Sequence, residues 1–275
     1  MRQKLFFAAS LTLFVVLFSC KNNDKEKEPE MKETKLKEEI VSYKLDSSSR
    51  TNFVVYDENI EGKRPAVLVI HEWWGLNDYA KMRARELAKL GYIAMAVDMY
   101  GDGKMGDDPD AAGKLATPFY MKPEIAKPIF DAALEKLKGF SQTDATKVAA
   151  IGYCFGGAQV INLAKMGEDL KGVVSFHGNL AVMPPNKDLL KAQVLVCHGG
   201  ADPFVPQTEV DLFKKQMDSV GAKYTFKVYE GATHAFTNPN ATAMGEKFKM
   251  PIKYDAAADS ASWKDMKEFF QQIFQ

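Results

Sequence analysis

Gly152-Tyr153-Cys154-Phe155-Gly156-Gly157 follows directly on the apolar run Val148-Ala149-Ala150-Ile151 and precedes a helix-compatible stretch over 158–166. A Gly-x-nucleophile-x-Gly string in that position is the pattern of a sharp strand-to-helix turn. The side chain at its apex sits in strained backbone geometry, so the residues two places either side must be small. Here they are Gly152 and Gly156, and Gly157 adds clearance where helix meets strand. Cysteine stands where most such turns carry serine. The residue after it, Phe155, would offer its backbone N–H to a developing oxyanion. The same string also fits a buried cysteine in a glycine turn.

The chain downstream favours the chemical reading. A β-branched run over 193–198 leads into Gly199-Gly-Ala-Asp202-Pro-Phe-Val-Pro206, which places Asp202 in a loop at the carboxyl end of a predicted parallel strand. A helical stretch (207–219), a strand (224–229) and the turn Glu230-Gly-Ala-Thr-His234-Ala-Phe236 follow. Nucleophile, acid and histidine in that chain order belong to one α/β architecture and to neither major serine-protease fold. Loops at one edge of an open α/β sheet converge, so Cys154, His234 and Asp202 are expected to meet as nucleophile, base and base-orienter. Three other histidines compete for the base role. His71 follows a strand (66–70) and adjoins Glu72, which suits a structural place. His177 ends the strand 173–176 and is expected to line a pocket. His198 precedes the Asp202 loop and is expected to order it. Only His234 follows the acid in the required order.

These residues give the chain a resemblance to the dienelactone hydrolase family, Cys-His-Asp members of the α/β-hydrolase fold. It runs from Val41 to Phe274. The matching pieces are Val-Ile-His-Glu-Trp-Trp-Gly75, Ala-Val-Asp-Met-Tyr100, the Cys154 turn, Gly199-Gly-Ala-Asp202, Gly231-Ala-Thr-His-Ala-Phe236 and the closing Tyr254, Trp263, Phe269-Phe270 segment. The resemblance implies a mostly parallel central sheet with helices on both faces and cleavage of a carboxylic ester or lactone without a cofactor.

It also implies roles for two further residues. A free thiol of pKa ~8.5 is thiolate only to a few per cent at neutral pH. A helix N-terminus behind it favours the anion by ~0.3–1 kcal/mol. A nearby carboxylate works the other way, so the family's glutamate, here Glu72, is expected to keep the thiol protonated until substrate displaces it. A glutamate that only orders its own loop is the alternative. Trp73 matches the position whose N–H completes the oxyanion hole beside Phe155. The departures concern substrate. The family's namesake clamps a carboxylate with two arginines, where this chain has Gly101-Asp-Gly-Lys104 and Thr237-Asn238. A lysine does not replace a bidentate fork, so the anionic dienelactone is not the expected substrate.

Composition bounds the rest. The 275 residues, 46% of them hydrophobic, suffice for one large domain. Lys and Arg number 36 against 36 Asp and Glu, and removing residues 1–19 leaves 34 against 36, a balance that excludes nucleic-acid binding through a basic surface. Arg2 and Lys4 precede a 14-residue apolar run (5–18), too short for a comfortable span and suited to a secretory signal. The run ends Leu17-Phe18-Ser19-Cys20, which resembles a bacterial lipobox. Residues 1–19 are thus expected to be a lipoprotein signal and Cys20 a lipidated anchor to the cell envelope. An uncleaved anchor or ordinary cleavage are the alternatives. In 21–39, 13 of 19 residues are charged, so 20–40 reads as a solvated tether, coiled or helical, before a catalytic domain over 41–275.

Cys154 and Cys197 occupy different predicted strand ends and form no evident pair; Cys197 reads as core. Neither metal-ligand spacing nor a phosphate-binding glycine loop occurs. Strands are expected over 41–45, 51–56 and 93–97 and a helix over 78–90. The stretch 100–122, rich in Gly, Asp and Pro, is expected to be an irregular loop over the site. Its Met105, Phe119, Tyr120 and Met121, like Trp73 and Trp74, suit either pocket or packing. Two other functions fit the same residues: a thioesterase or peptidase on the same triad, and a non-catalytic lipoprotein that binds a ligand. The sequence leaves the oligomeric state open.

Overall fold

The computed structural model describes residues 34–180 and 183–275; residues 1–33, with the expected signal, Cys20 and most of the charged segment, lie outside that range. Eight strands form one sheet in the order β1-β2-β4-β3-β5-β6-β7-β8. They are β1 (Leu36–Leu45), β2 (Ser48–Asp57), β3 (Arg64–Ile70), β4 (Ile93–Val97), β5 (Thr143–Tyr153), β6 (Gly172–Phe176), β7 (Gln193–Gly199) and β8 (Tyr224–Tyr229). The β1–β2 and β2–β4 pairs are antiparallel and the remaining pairs parallel. Strands β3, β4 and β6 are almost wholly buried, as continuous apolar runs covered on both faces must be.

Among the described residues there are seven α-helices: α1 (Asp78–Lys89), α2 (Pro109–Met121), α3 (Ala126–Lys138), α4 (Phe155–Lys165), α5 (Gln207–Ser219), α6 (Ala241–Phe248) and α7 (Ala256–Ile273). Side-chain alternation along the strands splits the core in two. Ala66, Leu68 and Ile70 of β3 pack with residues of α2 to α5, including Phe130, Val160 and Phe213. Val67 and Val69 pack with α1 and α7, through Leu87, Met266 and Phe270. The α/β-hydrolase architecture expected from the chain is therefore present.

This topology locates the site. Strands β3 and β5 are neighbours, yet β3 leads to α1 on one face and β5 to α4 on the other. Connections that part to opposite faces leave a crevice at the carboxyl ends of the strands between them. The residues that follow those ends are His71-Glu72-Trp73 and Cys154.

Three expectations need correction. The first strand begins at Leu36, not 41, so the last residues assigned to the tether pair with β2 from Leu36↔Asp57 onward. The stretch 100–122 is not all loop, because residues 109–121 form α2. Asp108 caps it by accepting from Ala111 N at 2.8 Å, and Pro109 begins it. Proline costs nothing at a first helical position, where its missing N–H has no intrahelical partner. Finally, α3 and α6 were not anticipated.

Candidate active site

Strand β5 ends in the turn that carries Cys154, whose backbone adopts φ 53° and ψ −113°. Positive φ in a non-glycine residue stores strain of roughly 1–3 kcal/mol, held only where the surroundings over-determine it. Here they do. A Cβ on Gly152 would lie 2.1 Å from Gly156 O, and one on Gly156 2.2 Å from Ile70 O. Gly156 N donates to His71 O at 3.1 Å, tying the helix start to the end of β3. The turn thus projects Cys154, half-buried, at the amino end of α4. Phe155 occupies the first helical position, whose N–H has no intrahelical acceptor. Its ring is fully buried, stacked on His71 and packed against Tyr100, Phe119 and Tyr120.

His234 and Asp202 come from the loops after β8 and β7. His234 Nδ1 lies 2.8 Å from Asp202 Oδ2, and Phe204 N donates to the other oxygen, Asp202 Oδ1, at 2.8 Å. An acceptor on Nδ1 places its hydrogen there and leaves Nε2 free as the basic nitrogen. Burial opposes the imidazolium, but the interactions with Cys154 and with Asp202 outweigh it and raise the His234 pKa to about 10.

Glu72 is buried and accepts from Asn238 Nδ2 at 2.7 Å. Burial raises its pKa to about 7, against the opposing pull of the Asn238 hydrogen bond and of the charges on His234 and Arg83. Trp73 is held by Tyr100, whose hydroxyl donates to Trp73 O at 3.0 Å.

Cys154, His234, Glu72 and Trp73 open onto one cavity of about 400 Å³, walled further by Trp74, Tyr120, Phe204, Met250 and Ile252. Asp202 stands behind His234. Lys104 lies elsewhere, in a separate cleft of about 320 Å³ with Ile40 and Asp98, paired to Asp102 at 3.2 Å. Of the two stretches where the family's namesake is expected to carry arginine, one thus has its Lys104 outside the cavity and the other holds Asn238 against Glu72.

The competing histidines also resolve. His71 is buried, its Nδ1 at 2.5 Å from Glu72 O, and burial lowers its pKa to about 4. The His198 ring packs beside Phe226. His177 does not line the cavity as expected. It is buried behind Cys154, and its Nδ1 accepts from Cys154 N at 3.1 Å. Of the aromatic and methionine residues of 100–122, Tyr120 reaches the cavity and Phe119 is core, whereas Met105 and Met121 are exposed. Cys197 is buried core, its thiol pushed up to about 12 by burial. Among the described residues no cluster of His, Cys, Asp and Glu is arranged to hold a metal ion.

Sequence reasoning missed three contributors. Residues 249–252, which wall the cavity, carry no local signal. The Asn238–Glu72 contact was hidden in a pair noticed only for lacking arginine. The His177 contact depends on strand order, which spacing does not reveal.

Comparison with known proteins agrees with this geometry. Residues 52–274 match the dienelactone hydrolase family. A protein named usf from Aquifex pyrophilus is 32% identical over 213 residues, 76% of this chain and 88% of that one. An Aquifex aeolicus protein, named provisionally as a carboxymethylenebutenolidase, is 33% identical over 213 residues, 75% of this chain and 87% of its own. The crystal structure of a dienelactone hydrolase-like promiscuous phosphotriesterase from metagenomic libraries superposes with a TM-score of 0.81 at 34% identity, covering 87% of this chain and 99% of that one. With an eight-stranded α/β-hydrolase sheet, the Cys154 turn at its switch point and these relatives, the chain belongs to the dienelactone hydrolase family and is a carboxylic ester hydrolase.

Proposed function

We propose that the reaction runs through Cys154, His234 and Asp202, on an uncharged carboxylic ester or lactone. The observation that carries this reading is the His234–Asp202 pair, with His234 sharing one cavity with a cysteine at positive φ. The Cys154 thiolate attacks the substrate carbonyl carbon, and the C=O electron pair moves onto oxygen. The Phe155 and Trp73 N–H groups stabilise that oxyanion, the contribution that is usually largest in acyl transfer. Collapse expels the alkoxide, which takes the proton from the His234 imidazolium and leaves a thioester on Cys154. Water then attacks as His234 accepts its proton, and collapse releases the acid and restores the thiolate–imidazolium pair. Asp202 keeps Nε2 aimed at the chemistry. Glu72, poised near neutrality, serves as the gate on the thiol.

The cavity wall favours the uncharged substrate. It is largely aromatic and aliphatic, and its one lysine, Lys249, is exposed. A second reading, turnover of uncharged phosphotriesters, is favoured by the same wall and by the 34% identical phosphotriesterase. Cys20 is the proposed point of lipid attachment to a bacterial envelope membrane. Palmitate labelling that persists in Cys20→Ala would remove that part.

Hydrolysis of an activated aryl acetate tests the mechanism, with wild type, Cys154→Ala and His234→Ala run side by side. Wild type is expected to show a pre-steady-state burst that both variants lose while retaining their circular dichroism. Equal slow rates in all three would assign the turnover to surface groups and make the ligand-binding reading the better one. Release of thiol or amine from the corresponding substrates, in preference to alcohol, would redirect it to a thioesterase or peptidase.

A further inference from the structure

Behind the nucleophile turn lies a buried polar chain that the reaction as proposed does not use. The Cys154 N–H points at two acceptors, Phe176 O at 2.9 Å and His177 Nδ1 at 3.1 Å. A backbone N–H can only donate, so Nδ1 must carry the lone pair and the ring hydrogen must sit on Nε2. Nε2 is 2.7 Å from Thr237 Oγ1, the acceptor that hydrogen needs. Thr237 Oγ1 shares a second hydrogen bond of 2.6 Å with the Tyr79 hydroxyl. Arg83 closes the chain: its Nη2 donates to Thr237 O at 2.6 Å and its Nε to Tyr79 Oη at 3.3 Å. Each of His177, Thr237, Tyr79 and Arg83 is buried.

Two further facts set this chain apart from ordinary core satisfaction. His177 itself holds a positive φ of 43°, so two adjoining strand ends, those of β5 and β6, are strained against each other. Thr237 lies three residues after His234 on the same loop, and the His177 ring packs edge-on against the His234 ring at 5.2 Å and against Phe236 at 5.3 Å. The imidazole therefore joins the backbone of the nucleophile to the loop that carries the base. It stays neutral as this requires, because burial, with His234 and Arg83 nearby, holds its pKa well below the ordinary value.

We infer that His177 is a positioning residue that fixes the Cys154 backbone relative to the His234 loop, with Thr237 setting its tautomer. This rests on the Cys154–His234 reading above. Displacements of about 1 Å between reacting groups cost up to ~100-fold in rate, so loosening this strut should fall on kcat and on thiol reactivity rather than on substrate binding.

The test uses three substitutions at one position. His177→Asn returns an acceptor, Oδ1, where Nδ1 stood, while losing the reach to Thr237. His177→Gln returns a donor near the old Nε2 and removes the acceptor for Cys154 N. His177→Phe keeps the ring and removes both. Aryl acetate kcat and KM are measured beside the rate of Cys154 alkylation by iodoacetamide across pH. Expected are a kcat lower by at least ~10-fold in Phe and Gln with KM within about twofold, a shifted alkylation midpoint in both, and recovery of only part of the loss in Asn, which restores the acceptor for Cys154 N but not the link to Thr237. Thr237→Val should reproduce a part of the His177→Phe loss and add little on top of it, as residues in one network do.

Wild-type kcat in His177→Phe, or equal losses in Asn and Gln, would overturn the inference. If Phe does not fold, the Asn–Gln contrast still decides it. Failure of the underlying mechanism is separately visible, since Cys154→Ala would then retain turnover whatever the His177 variants do.

Discussion

At the residue scale the arrangement depends on which atom of a ring carries a proton. Asp202 accepts through both oxygens, from Phe204 N and from His234 Nδ1. In Asp202→Asn the amide oxygen can keep the Phe204 bond, which turns the NH₂ group toward His234. The ring must then accept at Nδ1 and carry its hydrogen on Nε2, on the Cys154 side, where it cannot take a proton. The expected outcome is a folded protein whose kcat for aryl acetate falls by ~10³-fold or more, with KM little changed. A loss under about tenfold would show that Asp202 does not orient the base. His234 and Asp202 were legible in the sequence because chain order and strand ends constrain them. Asn238 and His177 were not, since each acts through a contact between loops 23 or more residues apart.

At the scale of elements, glycine spacing was the readable signal. The Cys154 turn could be placed because its glycines answer a steric demand that no other residue meets. Strands β3, β4, β5 and β7 could be placed because buried parallel strands are short continuous apolar runs. Helix α2 escaped because Gly113 and Pro118 lower its helix propensity, and it forms through its cap and its buried face of Ala112, Ala116 and Phe119. The same comparison yields a paired prediction. Gly156→Ala would put a methyl 2.2 Å from the Ile70 carbonyl oxygen, where neither backbone can withdraw, whereas a Cβ at Gly113 meets nothing within 4 Å. Urea denaturation should show Gly156→Ala destabilised by at least about 2 kcal/mol. Gly113→Ala should be stabilised by up to ~1 kcal/mol. Equal stability of the two variants would mean that the turn is not sterically tight.

For the whole molecule, the buried titratable groups set how stability follows pH. Glu72 has a folded pKa of about 7 against an ordinary 4.5, because burial disfavours its charge. The folded state therefore binds this proton more tightly than the unfolded state does. Its stabilisation is full below pH 4.5 and is lost as pH rises to about 7. His71 runs the other way: with a folded pKa of about 4 against 6.5, it contributes fully above pH 6.5 and loses that contribution as pH falls toward 4. His177, also lowered, adds to the loss on acidification. Between pH 4.5 and 6.5 two buried histidines thus outweigh one buried carboxyl, and these groups together make the wild type less stable as the medium is acidified. Glu72→Gln isolates the carboxyl, since glutamine can still accept from Asn238 while holding no titrating proton. The difference in unfolding free energy between wild type and Glu72→Gln, measured in urea at pH 4.5, 6 and 8, should move against the wild type by about 3 kcal/mol across that range. The variant should accordingly lose stability on acidification more steeply than the wild type. A difference that stays flat from pH 4.5 to 8 would mean that folding leaves the Glu72 carboxyl at its ordinary pKa, ionised in the folded protein over most of that range.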